Sequence, residues 1–249
     1  MVASPPMELQ DILYSQGFGP RRVCLGLVQN GLVRVEGQAC EDPYAEFEPQ
    51  RLHDSFERKD WTYHARAYLM LHKPAGHECS QKPSAWPSIY TLLPAPLRQR
   101  PNKGSNPGVQ AIGRLDQDTT GLLLLSDDGA FIHKMSSPRH HVPKVYEVGT
   151  ADPVEARQVD RLLQGVVLDD DPKPVRAAAC EPTGSHALRL TLTEGKYHQV
   201  KRMLAAVGNR VTSLHRSRIG RLEIPHDLAA GQWRWLNPET LAAASQRPE

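Results

Sequence analysis

Gly113-Arg114-Leu115-Asp116-Gln117-Asp118-Thr119-Thr120-Gly121-Leu122 is the stretch on which the reading of this 249-residue chain turns. It is a polar loop between two glycines that runs straight into the apolar strand Leu122 to Leu125, an arrangement able to hold a carboxylate rigidly at the end of a core strand. In extended backbone Arg114 and Asp116 share one face, so the arginine can keep the aspartate ionised. Asp118 falls on the same face and competes for the role. Taken alone, a D-x-D-T-T-G string is more often a turn in which an aspartate caps backbone N–H groups.

On both sides of this loop the chain reads as strands punctuated by glycine and proline: Tyr68 to Leu71, Lys144 to Thr150 and Ala187 to Thr193. Helical patterns lie between some of them, which predicts an α+β domain rather than a regular βαβ array. Arg98 to Gly108, rich in Pro, Gly, Asn and basic residues, reads as an exposed loop. Upstream, Leu9, Ile12 and Leu13 recur at helical spacing, Gly17-Phe18-Gly19-Pro20 breaks that helix, and Val23, Leu27 and Val28 begin another. Asn30-Gly31 then turns into the short strand Leu32 to Val35. Arg21 and Arg22 open the second helix, where cations oppose the helix dipole, so a ligand accounts for them better than helix stability does. Residues 38 to 65 show little periodicity and are assigned to the rest of this module and a linker. The boundary falls at residue 65, giving a module over 1–65 and a larger domain over 66–249.

Composition narrows the function classes. No apolar run approaches the roughly 20 residues that cross a bilayer, and the N-terminus lacks the basic and apolar stretches of a secretory signal, which predicts a cytoplasmic chain without a membrane partner. Cys24, Cys40, Cys79 and Cys180 form no C-x-x-C pair, which argues against a zinc knuckle or a disulfide framework. His140-His141 has no carboxylate or histidine partner at metal-ligand spacing and reads as loop, so no metal is expected. Asp169-Asp170-Asp171, followed at once by Pro172, reads as an acidic loop. A net charge of +2 hides an uneven distribution: Lys196 to Arg221 holds seven Lys/Arg and no acid, a footprint suited to phosphates. Within it Val200, Met203, Leu204 and Val207 follow a helical stripe and are assigned to the core.

The pattern G-R-L-D-x-x-T-x-G-L of residues 113–122 resembles the signature of the pseudouridine synthases. Three further segments similar to that family stand in the expected order: Leu71-His72-Lys73-Pro74-Ala75-Gly76, Lys144-Val145-Tyr146, and Glu194 to Met203. The resemblance implies that Asp116 is the catalytic carboxylate, that Lys201 is the cation accompanying it, and that Tyr146 packs on the target base. It also implies RNA or substrate contacts at Arg114, Lys73, His198, Gln199 and Arg202, a catalytic domain on a mainly antiparallel mixed sheet with flanking helices, and no cofactor. Residues 7 to 37 resemble the S4-type RNA-binding module in their order of helix, glycine turn, two arginines, helix and Val-Arg-Val-Glu-Gly, with Arg21 and Arg22 as its RNA contacts. Ser126 to Gly129, Ser137 to His141 and Ala205 to Asn209 are most similar to the branch that modifies small-subunit (16S) ribosomal RNA. The implied partner is therefore 16S RNA or an assembling small subunit, met by a monomer.

The chemistry suits these residue types. Pseudouridine formation breaks the N1–C1′ bond of uridine, turns the base and joins C5 to the same sugar carbon. Departure of the base leaves C1′ electron-deficient, as in glycoside cleavage, where a carboxylate attacks or stabilises the cation. Asp116 can attack C1′, stabilise the cation, or take a C2′ proton, and the sequence leaves all three open. Other readings are a 23S RNA synthase of the same family, an inactive RNA-binding assembly factor, and hydrolysis of a glycosidic bond by Asp116 with Asp118.

Overall fold

The computed structural model describes residues 5–49, 52–56, 59–102 and 107–246. It divides into two compact units. One takes the described residues of Met1–Ala67, Leu93–Gln110 and Ser126–Asp128, and the other those of Tyr68–Leu92, Ala111–Leu125 and Gly129–Glu249. Among the described residues no helix is long and apolar enough to cross a membrane.

The second unit is built on a mixed sheet with helices against it. Strand Lys144–Thr150 runs antiparallel to both Ala187–Leu192 and Val211–Ile219, and Ala179–Gly184 runs antiparallel to Ala187–Leu192. On the other side, Val211–Ile219 is parallel to Thr120–Ser126, and Tyr68–Lys73 pairs antiparallel with Trp233–Trp235 at the end of the order. This is the α+β arrangement expected from the strand pattern, on the mainly antiparallel mixed sheet that the family resemblance implies. Leu122, Leu123, Leu124 and Leu125 are all at or below 1 % exposure, so this strand is covered on both faces, as a continuous apolar run requires. Its core includes Met70, Ile112, Leu122, Leu124, Phe131 and Ile219. Val200, Met203, Leu204 and Val207 are buried as their helical stripe predicts.

The parallel pair depends on Gly121. Its φ is +116°, and a Cβ there would stand 2.3 Å from the Arg216 carbonyl oxygen and 2.6 Å from its amide nitrogen. Only glycine allows the two backbones to approach so closely.

The first unit packs helices Leu9–Gln16 and Arg21–Gln29 with a four-stranded antiparallel sheet in the order Gln38–Cys40, Val33–Val35, His53–Phe56, Lys59–Thr62. Leu9, Ile12, Leu13, Cys24, Val28 and Val33 form its core. The helices and the Asn30-Gly31 turn lie where the periodicity puts them. Residues 38–65, read as remainder and linker, instead supply three of the four strands. These strands carry no apolar alternation; Gln38–Cys40 and His53–Phe56 pair with Val33–Val35, and Lys59–Thr62 pairs in turn with His53–Phe56.

The reading of Arg98 to Gly108 as an exposed loop also needs correction. Ala95–Gln99 is a short helix and Arg100 is 2 % exposed, while residues 103–106 lie outside the described residues. Arg100 Nε lies 2.7 Å from Asp127 Oδ2, Nη1 donates to Gln16 Oε1 at 3.1 Å, and Nη2 donates to the His64 carbonyl at 2.6 Å. Gln16 Oε1 also accepts the His64 amide at 3.0 Å, and Asp127 Oδ1 accepts the Ala67 amide at 2.8 Å. One guanidinium thus joins four separate parts of the chain. Burial and the Arg100 charge together push the His64 imidazole below its usual range.

Removing one member of a fully buried ion pair leaves the other uncompensated, which costs about 3–5 kcal/mol. Arg100→Ala should lower the urea unfolding free energy by that order, and a loss under about 1 kcal/mol would show that the network does not hold this unit together.

Candidate active site

The loop that carries Asp116 is held by a buried ammonium. Lys73 is fully buried, and its Nζ donates to the carbonyls of Pro74 at 3.0 Å, Gln117 at 3.3 Å and Thr119 at 2.8 Å. These three acceptors match the three donors of an ammonium. Burial pushes Lys73 below the usual lysine range, against the opposing charges of Cys79, Asp118 and Asp116. The Gly76 amide donates to the Gln117 carbonyl at 2.8 Å, and the Thr119 amide closes a turn onto the Asp116 carbonyl at 3.1 Å. Lys73 was expected to contact RNA. It has neither exposure nor a spare donor for that, and its part is to fix the loop.

Asp116 stands at the edge of a pocket between a lysine and a histidine. Lys201 Nζ is 3.0 Å from its Oδ2, and His198 Nε2 is 3.2 Å from its Oδ1. The same Lys201 Nζ lies 2.7 and 2.9 Å from the two oxygens of Asp118. Burial alone would lower Lys201, but its hydrogen bonds and charge pairing with Asp118 and Asp116 raise it above the ordinary lysine range. For Asp118 burial works upward, and the Lys201 hydrogen bond and charge outweigh it, leaving that carboxyl below its usual range. The cation beside Asp116 is therefore Lys201, as the motif order implies, and not Arg114. Residues Gly113 to Thr119 lie outside any strand, with a bend at Gly113 (φ +71°) and a turn at Gln117-Asp118, and Arg114 makes no ion pair with Asp116 among the described residues. Arg114 still lines the pocket.

Lys201 is delivered by helix Gln199–Ala206, which follows His198 in left-handed backbone at φ +47°. Gln199 is 4 % exposed, and its side chain accepts the Lys196 amide at 2.8 Å and donates to Glu194 at 3.1 Å. It is a clamp on the turn before the helix, which corrects its assignment as an RNA contact. His198 stacks on Tyr197 with centroids 3.7 Å apart. Arg202 pairs with Asp170 and donates to the Tyr197 carbonyl, and Lys196 pairs with Asp171.

The basic run is thus largely neutralised. Lys196, Lys201, Arg202 and Arg218 face carboxylates from outside it, and Arg216 is buried. Arg210 and Arg221 remain exposed without an ion pair among the described residues. Asp170 lies in the turn of the hairpin Val166–Leu168 and Asp171–Val175, so the acidic loop is a counter-charge. At the other end of the chain, Arg21 pairs with Asp11 and lies 4.5 Å over the Tyr14 ring. Those contacts explain its position without a ligand. Arg22 is exposed and unpaired among the described residues.

The pocket holds about 200 Å³ and is walled by Tyr146, Leu192 and Leu214 beside Asp116. It is small against the roughly 300–1,000 Å³ of drug-sized sites and suits one planar base. Tyr146 is 8 % exposed. Lys144 and Arg216 also line the pocket, although the sequence marked them only as part of the Lys144-Val145-Tyr146 segment and of the basic run. Burial, assisted by the Arg216 charge, pushes the Lys144 ammonium down to about 8. Alternation along Leu214-His215-Arg216 was the available signal, because it turns Arg216 to the same face as buried Leu214.

Lys144 generates a pH prediction. Its folded value lies below that of the unfolded chain, so the cost of charging it is full below pH 8 and fades as pH rises from 8 towards 10.5. Lys144→Met should therefore gain up to about 3 kcal/mol at pH 7. Urea unfolding at pH 7, 8.5 and 10 should show that gain shrinking, whereas a pH-independent difference would rule the buried charge out as its source.

Residues 67–206 match the RNA pseudouridylate synthase family. Ribosomal small subunit pseudouridine synthase A of Pasteurella multocida (strain Pm70) is 43% identical over 178 residues, covering 72% of this chain and 73% of the relative. The enzyme of the same name from Escherichia coli (strain K12) is 41% identical over 180 residues, covering 72% and 74%. A crystal structure of a pseudouridylate synthase superposes with a TM-score of 0.66 at 32% identity, over 96% of this chain and 99% of that one. With the ordered motifs, the mixed sheet and these likenesses together, the chain belongs to the RNA pseudouridylate synthase family.

Proposed function

We propose that this enzyme converts a uridine of small-subunit (16S) ribosomal RNA to pseudouridine, with Asp116 as the carboxylate that meets the sugar. The observation that carries the reading is the Asp116 carboxylate, held between Lys201 and His198 at a base-sized pocket walled by Tyr146. The target subunit is inferred from the names of the Pasteurella and Escherichia relatives and from the segments 126–129, 137–141 and 205–209.

A uridine within folded RNA leaves its stack to enter such a pocket. Tyr146 offers a flat face for the flipped base, an interaction worth about 1–3 kcal/mol in single-strand recognition. The N1–C1′ bond breaks, with its electron pair leaving on N1, and Asp116 meets the electron-deficient C1′ directly or takes a C2′ proton. The base turns and C5 bonds to C1′, as the Asp116–C1′ bond breaks or as the abstracted proton returns to C2′; the C5 proton is then lost and N1 gains one. Atoms balance without a cofactor. Lys201 and His198 orient the Asp116 carboxylate, and Lys201 ties it to Asp118.

The helices and strands of residues 7–37 are read as an S4-type RNA-binding module within a 1–65 segment, the catalytic domain following over 66–249. Arg22 is an exposed guanidinium of that module without an ion pair among the described residues. The enzyme is taken to act as a monomer.

The test is to incubate the chain and an Asp116→Ala variant with unmodified 16S RNA, with and without small-subunit proteins, and map pseudouridine by carbodiimide-dependent primer-extension stops. A stop at one uridine with the native chain, reduced at least about 10³-fold in the variant, is expected. A stop only in 23S RNA would overturn the target, and no stop in either RNA would overturn the activity.

A further inference from the structure

Besides the exposed Arg114, the pocket is lined by two cations largely withdrawn from solvent, Lys144 and Arg216, that no carboxylate neutralises among the described residues. Tyr146 and Arg216 are cross-strand partners, and Lys144 lies two residues before Tyr146 on the same face of its strand. Arg216 is 3 % exposed, and its Nε donates to the Leu122 carbonyl at 2.8 Å. Its Nη2 is buried with no acceptor among the described residues. Lys144 Nζ reaches only the Val142 carbonyl, at 3.2 Å. Asp116, the carboxylate of the loop they face, is already engaged by Lys201 and His198. A buried guanidinium with an empty donor beside a second buried cation is costly unless an anion completes it.

The reaction makes such an anion inside this pocket. When the N1–C1′ bond breaks, the base departs with the electron pair, and its negative charge spreads from N1 to O2 and O4. We propose that Arg216 and Lys144 form the receptor for the detached base, donating to its carbonyl oxygens while it is anionic and while it turns. This deepens the proposed isomerisation and rests on it. A backbone phosphate offers similar charge. The walls decide for the base: Tyr146, Leu192 and Leu214 present a flat and apolar slot, suited to a planar ring rather than a hydrated tetrahedral group. Preorganised donors aimed at developing charge, in a site closed to water, are where such stabilisation is largest.

The test compares native enzyme, Lys144→Met and Arg216→Lys in single turnovers at saturating RNA, with uridine or 5-fluorouridine at the target position. Loss of the N1-linked nucleoside is followed in nuclease digests, and RNA affinity is measured separately. Fluorine withdraws electrons and makes the base a better leaving group, so it needs less help from the receptor. Each variant should slow bond cleavage about 10²-fold with uridine but about 10-fold or less with 5-fluorouridine, at RNA affinity unchanged within about threefold. An equal loss with both bases overturns the proposal and leaves a structural role. Weakened RNA binding with an unchanged saturating rate also overturns it, in favour of a phosphate site. Lys144→Met removes a buried charge, so a loss of rate in that variant is separable from unfolding even if Arg216→Lys does not fold. If native enzyme converts no RNA, the proposed function fails first; if it is active and the variants match it, this inference alone fails.

Discussion

A buried ammonium fixes the turn that carries Asp116, the carboxylate proposed to meet the sugar. Lys73 Nζ spends its three donors on the carbonyls of Pro74, Gln117 and Thr119, so the turn carrying Asp116 has no freedom to close or slide. A lysine surrounded by carbonyl oxygens meets its hydrogen-bonding needs without a formal counter-ion, which explains how it tolerates complete burial. From that fixed turn the chain passes directly into the four buried leucines, and Gly121 lets the neighbouring strand close in at Arg216. Loop rigidity and pocket depth therefore have a common origin in this short stretch.

Charge is arranged in two different ways around the loop. Lys201, Lys196 and Arg202 are matched by carboxylates: Lys201 by Asp116 and Asp118, Lys196 by Asp171, Arg202 by Asp170. Lys144 and Arg216, which line the same pocket as Lys196 and Lys201, have no ion pair among the described residues. Compensated pairs position groups, and uncompensated ones retain their field for whatever enters.

Much of this was legible in the sequence, and the failures share a cause. The helices of residues 9–29, the strands at 144–150 and 187–192, and the pairing of Asp116 with Lys201 all follow from local periodicity or from ordered motifs. Lys73 was misread because its acceptors at Gln117 and Thr119 come 44 and 46 positions later. Arg100 was misread in the same way, since Gln16 precedes it by 84 positions and Asp127 follows by 27. A window of sequence reports a cation's neighbours along the chain, while burial of a cation is settled by partners across space. The basic run of 196–221 failed as a footprint on that ground too, because its counter-charges lie in other segments.

The acidic turn at Asp170 and Asp171 has a thermodynamic consequence. An exposed lysine or arginine normally lets condensed ions escape from RNA when it meets a phosphate, and that release makes binding strongly dependent on salt. At Lys196 and Arg202 an arriving phosphate must displace a carboxylate of the protein itself. The exchange trades one ion pair for another, and returns Asp170 and Asp171 to solvent as anions beside a polyanion. Any phosphate contact at these two cations therefore contributes less affinity, and a shallower salt dependence, than their charge suggests.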